Sequence, residues 1–274
     1  MQKKYIFLDI DGTLVGKDGD VPLSARKAIR EARQNGHKVF IATGRSRCQI
    51  PEYLVAVGLD GIVASAGAYV ELDGKMIWHR PMTERMNMEL LSYLNDKQME
   101  IMVETNDKLL VNAGGRKTSY AYIRECKENH IPYNKAFYDL IEPLEGIENP
   151  AKLAINKILY VNSPYDNAMI RQDLAERYTV VECSLELTGN SGEISEKGMH
   201  KGKGIGMVIE YLGADMEDTI AIGDGENDME MLQAAYVGIA MGNANPQLKK
   251  IADYVTTDVQ EDGLKNAFVQ YHLI

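Results

Sequence analysis

The chain has 274 residues, 45% of them hydrophobic and 26% charged, which fits one large domain or two smaller ones and excludes extensive disorder. Thirty basic residues against forty acidic ones leave a net charge of −10, and no long Lys/Arg run segregates it, so the balance speaks against nucleic-acid and anionic-membrane partners. Cys48, Cys126 and Cys183 are widely spaced and form no CxxC pair, which argues against a disulfide framework or a structural zinc site.

Lys3–Lys4 could open a leader, but Asp9 and Asp11 cut the apolar stretch behind them, and no run approaches the ~18–20 residues of a membrane span. A soluble, cytoplasmic protein with reduced cysteines is the expectation. Residues 4–10 read as an apolar strand. Residues 24–35 put Ala25, Ala28, Ile29 and Ala32 on one helical face, with Ser24 as N-cap and Gly36 as stop. "HKVFIATG" is a second apolar strand, and strand, helix, strand of this kind is the pattern of a βαβ unit in a covered parallel sheet. A short helix from Pro51 to Gly58 and a hairpin "YVELDGKMIW" around Asp73-Gly74 follow.

From residue 83 the texture changes to α+β: a polar helix to Lys97, the hairpin "IMVETNDKLLVNA", a helix over 116–129 and an irregular stretch to 150. The strand "KILYVN", a helix over 165–177 and paired strands to Leu187 complete this region, and "TGNSGEISEKG" has the composition of a linker. Strict alternation then returns with a helix over 200–212, the strand "DTIAIGDG", a helix over 226–235, "YVGIAM", a short helix, "DYVTT" and a final helix. The expected architecture is therefore an α/β core with a doubly wound parallel sheet, built from residues 1–82 and 189–274, that carries an inserted α+β domain at 83–188.

Asp18-Gly19, Asp60-Gly61, Asp73-Gly74 and Asp262-Gly263 read as turns or caps. "DIDGT" and "GDGEND" differ in position, because each follows a β-rich apolar run and so marks the carboxyl edge where open α/β sheets bind ligands. Side chains at i and i+2 of a strand share a face, so Asp9 and Asp11 are expected to crowd their charges, with Asp224 and Asp228 adding oxygens from a neighbouring strand end. A divalent cation, or one carboxyl that stays protonated, relieves such crowding, and as the cation Mg²⁺, held by few carboxylates and several waters, fits best. The EF-hand alternative fails at both segments, since the required glycine falls at Leu14 or Met229. A dinucleotide loop at Gly202, Gly204 and Gly206 fails as well, its third glycine falling at Met207.

"DIDGT", "ATGR" at 42–45, Lys201 in "GMHKGKG" and "GDGENDMEML" resemble, in order, the four motifs of the haloacid-dehalogenase-like phosphohydrolases. The stretch "VGIAMGNANPQLKKIADYVTTDVQEDG" and the place of the insertion resemble the Cof-type branch, whose Rossmann-like core bears an α+β (type IIB) cap. The resemblance implies a Mg²⁺-dependent phosphatase of small phosphorylated metabolites such as sugar phosphates. Asp9 would be the nucleophile, forming an aspartyl-phosphate, and Asp11 the general acid and then base. Mg²⁺ would be held by the Asp9 and Asp224 carboxylates and the Asp11 main-chain carbonyl. The Ile10 amide, the Thr43 hydroxyl, the Gly44 amide at a helix N-terminus, Lys201 and Asn227 would bind the phosphoryl group. Asp228 would orient Lys201 or a metal-bound water, and Arg45 would bind substrate or cap a helix. A phosphomutase and an idle module that binds a phosphorylated ligand are the alternatives. Lys197, Lys203 and Trp78 are expected to be surface or packing residues.

Overall fold

The computed structural model describes residues 2–16, 19–129, 135–182 and 190–274. It forms two compact units, the first made of Met1–Arg45, Ile50–His79 and Met199–Ile274, the second of Ser46–Gln49 and Arg80–Gly198. The chain begins with β1 (Tyr5–Leu8), a run buried at every position as a strand covered on both faces must be. Helix α1 (Leu23–Gln34) buries Ala25, Ala28, Ile29 and Ala32, the face that the spacing predicts. It starts one residue earlier than expected: Pro22, its φ held at −53°, leads straight into the helix, and Ser24 lies inside the first turn. β2 (Lys38–Ala42) pairs in parallel with β1, and Phe7 stacks on Phe40 across the pair with ring centroids 4.9 Å apart.

The expected helix from Pro51 shrinks to one turn, α2 (Glu52–Val55), and Gly58 at φ +98° turns the chain into a strand absent from the sequence reading, β3 (Gly61–Ala64). That strand is short and begins at a glycine, which weakens its β signal. The hairpin β4 (Tyr69–Leu72) and β5 (Lys75–His79) follows, with Asp73 and Gly74 both at positive φ in its turn.

The second unit opens with α3 (Glu84–Asp96), capped by the Thr83 hydroxyl, and continues through β6 (Glu100–Glu104) and β7 (Leu109–Val111) to α4 (Ala113–Glu128). Then come α5 (Lys135–Tyr138), β8 (Ile141–Pro143), β9 (Lys157–Ser163), α6 (Asn167–Leu174) and β10 (Tyr178–Glu182). The supposed linker corrects the sequence reading, for Asn190–Glu196 is a strand, β11, paired with both β9 and β10 and so part of this sheet rather than of the core. Its glycine is a packing residue: a Cβ on Gly192 would stand 2.4 Å from the Tyr160 hydroxyl. The end of the paired strands, residues 183–187, lies outside the described residues, as does Cys183. Six strands in the order β10-β11-β9-β6-β7-β8 make the sheet, and Leu90, Leu94, Ile158, Tyr160 and Ile194 fill its main core.

The chain returns to the first unit with α7 (Lys201–Leu212), β12 (Thr219–Gly223), α8 (Met229–Ala234), β13 (Val237–Ala240), α9 (Pro246–Ile251), β14 (Tyr254–Val255) and α10 (Gly263–Gln270). Its sheet has eight strands in the order β14-β13-β12-β1-β2-β3-β4-β5, with every pairing parallel except the last two, so that β4 alone runs against the others. Strand order reverses between β12 and β1, the switch point where such sheets open a crevice at their carboxyl ends. β1, β2 and β12 are neighbours, so the segments that follow them emerge side by side.

Candidate active site

Asp9 is the first residue past β1, and its N–H donates to the Ile222 carbonyl at 3.0 Å, which prolongs the sheet contact just long enough to seat the carboxylate in the interior. Lys201 meets it there. The first residue of α7 and only 1% exposed, Lys201 donates from Nζ to Asp9 Oδ1 at 2.5 Å and to Asp228 Oδ1 at 2.6 Å. The other oxygen of Asp228 accepts the backbone N–H groups of Asp224 and Gly225, both at 2.9 Å, so this side chain orients Lys201 and closes the turn after β12 at once.

Asp224 Oδ1 accepts the Thr13 hydroxyl at 3.0 Å. Gly12, at φ +85°, is required here, because a Cβ on it would stand 2.1 Å from Asp224 Oδ2. Carboxylate oxygens of Asp9, Asp224 and Asp228 lie within 4.8 Å of one another. Three carboxylates against one ammonium leave two uncompensated negative charges, and the titration behaviour reflects it. Burial, opposed by Lys201 and reinforced by Asp228, pushes Asp9 up to about 8. Burial and Asp228 push Asp224 up to about 6, although the Thr13 hydroxyl pulls it down. For Lys201 burial acts downward, but Asp228 and Asp9 outweigh it and its pKa rises. The donor set suits a hard divalent cation, all oxygen and short of two positive charges.

Asp11 is not part of this cluster, a correction to the i, i+2 argument. β1 ends at Leu8, so the alternation of the strand does not extend to residue 11, and the Asp11 side chain turns outward, 60% exposed. There it pairs with Arg45, whose Nε and Nη2 donate to its two oxygens at 2.8 and 2.5 Å. Thr43 follows β2, is buried, and accepts the Arg45 N–H on its hydroxyl at 3.2 Å. The turn beyond it is 3-10 (Arg47–Gln49) rather than α, so Gly44 does not stand at an α-helix N-terminus. Asn227, exposed in a 3-10 turn, has its Nδ2 3.6 Å from where a Gly44 Cβ would stand, which brings the second and fourth motifs together. Ile10 buries its side chain, and its carbonyl accepts the Val15 N–H at 2.8 Å, closing the loop that carries Asp11.

Among the expected surface and packing residues, Lys197 is exposed and Trp78 packs against the core. Three features lay beyond the sequence reading. Thr13 and Asn243 both reach Asp224, and a turn after β3 holds Ser65, Ala66 and Gly67 at positive φ. In that turn Ser65 N–H donates to the Arg45 carbonyl at 2.8 Å and Ala66 N–H to the Thr43 carbonyl at 3.0 Å, while a Cβ on Gly67 would stand 2.4 Å from the His200 carbonyl oxygen. Strained backbone thus braces the residues around Thr43 and those before Lys201. The "SAG" sequence directly after an apolar strand was the available signal.

The model of the haloacid dehalogenase-like hydrolases matches residues 6–268. Over 274 residues, the whole of both chains, the sequence is 30% identical to YkrA of Bacillus subtilis (strain 168), which carries a provisional phosphatase name. It is 26% identical to the phosphatase YwpJ of the same organism, covering 99% of this chain and 100% of the relative. Among solved structures, the HAD subclass IIB sugar phosphatase BT4131 superposes with a TM-score of 0.77 at 25% identity over 99% of this chain and 100% of that one. With the charge cluster at the switch point of the sheet and the match running nearly end to end, the chain belongs to the haloacid dehalogenase-like hydrolases of Cof type.

Proposed function

We propose that the protein is a Mg²⁺-dependent phosphatase of small phosphorylated metabolites that works through an aspartyl-phosphate on Asp9. The observation that carries this reading is the division between the two aspartates of "DID". Asp9 is buried against Lys201 inside a cluster with surplus negative charge, whereas Asp11 is exposed and held by Arg45. Lys201 occupies Oδ1 of Asp9, so Oδ2 is the attacking oxygen. The new bond joins Oδ2 to phosphorus, the bond to the leaving oxygen breaks, and Asp11 gives that oxygen a proton; Asp11 then takes a proton from the water that cleaves the acyl phosphate. Lys201, the Thr43 hydroxyl, the Ile10 and Gly44 amides and Asn227 bind the phosphoryl oxygens. The Asp9 and Asp224 carboxylates with the Asp11 carbonyl would hold Mg²⁺, which supplies charge neutralisation for the approach of a dianion to a carboxylate.

The second unit is inserted between the chain segments that bear Thr43 and Lys201, and we assign it the choice of substrate on that ground. The name of BT4131, a sugar phosphatase, supports sugar phosphates as the first substrates to try. Among the described residues no helix is long and apolar enough to cross a membrane, in keeping with the cytoplasmic location we infer. The test is rapid-quench kinetics with an aryl phosphate. Asp9→Asn should show no turnover, while Asp11→Asn should release a burst of phenolate approaching one equivalent and then turn over slowly, because an aryl group leaves without an acid but hydrolysis needs the base. Equal loss in both variants, restored in both by high Mg²⁺, would defeat this division of labour.

A further inference from the structure

Asn243 lies in the loop after β13, a segment to which neither the sequence reading nor the mechanism above gives a task. The loop is firmly held. Met241 N–H donates to the Gly223 carbonyl at 2.9 Å, Gly242 N–H to the Thr257 carbonyl at 2.9 Å and Asn245 N–H to the Asp224 carbonyl at 2.9 Å. A Cβ on Gly242 would stand 2.4 Å from the Asp258 nitrogen, so the backbone has no room to shift. From this base the Asn243 amide spans three segments. Its Oδ1 accepts the Val259 N–H at 3.0 Å, and its Nδ2 donates to the Gly12 carbonyl at 2.8 Å and, at a longer 3.4 Å, to Asp224 Oδ2. The orientation of the amide follows from its neighbours, because a backbone N–H can only donate and a carbonyl can only accept.

We propose that Asn243 is a positioning residue of the cation site, fixing Asp224 against the "DIDGT" turn so that the site takes a small octahedral cation in preference to a larger one. The inference rests on the reading of Asp224 and the Asp11 carbonyl as ligands. Gly12 is one peptide beyond that carbonyl, so a single amide ties together the two segments on which those ligands are carried. Asp224 then has a donor on each oxygen, Thr13 on Oδ1 and Asn243 on Oδ2, which fixes the plane of the carboxylate. Mg²⁺ demands near-ideal geometry at short distances, while Ca²⁺ accepts six to eight ligands in a flexible arrangement. Loss of the brace should therefore cost Mg²⁺ more than Ca²⁺.

Isothermal titration of Mg²⁺ and of Ca²⁺ into the full chain without substrate tests this, on wild type, Asp224→Asn, Asn243→Ala and Asn243→Ser. The serine variant retains a hydroxyl for the Val259 N–H and guards against a folding defect in the alanine variant. We expect the Kd for Mg²⁺ to rise about 10–100-fold in both Asn243 variants, as for other residues that orient metal ligands, with a much smaller change for Ca²⁺. Unchanged Mg²⁺ affinity, or equal weakening for the two cations, would overturn the inference. If Asp224→Asn binds Mg²⁺ as wild type does, the reading of the site fails and takes the inference with it. If Asp224→Asn loses binding while both Asn243 variants keep it, the inference alone fails.

Discussion

Each unit buries one lysine between two carboxylates, and the two clusters differ in what they leave uncompensated. In the first unit Lys201 lies between Asp9 and Asp228 at 2.5 and 2.6 Å, with Asp224 a third carboxylate at the same place. In the second unit Lys157 pairs with Glu193 at 2.8 Å and stands 3.6 Å from Glu104. Glu104 is also satisfied by neutral donors, the Ser46 hydroxyl at 2.6 Å and Gln49 Nε2 at 3.3 Å. Burial pushes the Glu104 carboxyl upward, with Lys157 opposing and Glu193 adding to the push. With every carboxyl counted as ionised, the Lys157 cluster is short of one positive charge and its Glu104 is also held by two neutral donors, whereas the Lys201 cluster is short of two. A buried charge set met by fixed donors of the fold is a structural device, and one with a larger unmet surplus calls for a ligand.

The largest test exchanges the lysines one at a time. At saturating Mg²⁺, Lys201→Met should lower kcat about 10²–10³-fold, the scale of losing one preorganised donor to a developing charge. Lys157→Met should instead cost about 3–5 kcal/mol of stability, the scale of breaking a buried ion pair from one side. Urea denaturation of both variants beside steady-state kinetics would show it. A Lys157→Met protein of normal stability and no activity would break the comparison.

A smaller effect sharpens it. Mg²⁺ at a hundredfold excess over its Kd should stabilise the wild type by about 2.7 kcal/mol against urea, and chelation should remove that gain. Asp224→Asn should show no such gain, while Lys157→Met should keep it. A gain undiminished in Asp224→Asn would mean that the cation binds elsewhere.

The same contrast explains which parts of the site were legible in the sequence. Asp9, Thr43 and Asp224 each follow an apolar strand that ends in polar residues, a local pattern, and Lys201 opens a helix behind a glycine-rich stretch. Asp11 misled because the i, i+2 rule holds only inside a strand, and β1 stops at Leu8. Asn243 was invisible for a different reason. Its partner Gly12 is 231 residues away, and in sequence it is the first of two asparagines just ahead of Pro246, the second of which, Asn245, does cap a helix. The strand β11 was hidden by its glycine and serines, and Gly192 there serves close packing against Tyr160 rather than flexibility.

The smallest effect concerns the sign of a pH dependence, and it brings in a third charge cluster, around a buried Asp60. Asp60, expected to be a turn residue, sits among two cations instead: Arg33 donates to it at 2.8 and 3.1 Å, Lys38 at 2.6 Å and the Val39 N–H at 3.0 Å. Burial acts upward on its pKa, but Arg33, Lys38 and the Val39 amide outweigh it, and the folded value lies below the ordinary one. A depressed carboxyl contributes stability that is complete above its unfolded pKa, about 3.9, and is lost as pH falls through the folded value. Glu104 is raised, so its contribution is complete below its unfolded pKa, about 4.3, and is lost as pH rises through the folded value. Asp60→Asn should therefore cost about 1–3 kcal/mol at pH 7, the range for a lost charged hydrogen bond, and progressively less below pH ~4. Glu104→Gln should show the opposite trend, its cost relative to wild type being greatest in acid and shrinking toward neutral pH. Urea denaturation of both variants from acid to neutral pH measures the two slopes. Slopes of the same sign would mean that the surrounding charge count does not govern these carboxylates, and the argument from uncompensated charge at Lys201 would lose its support.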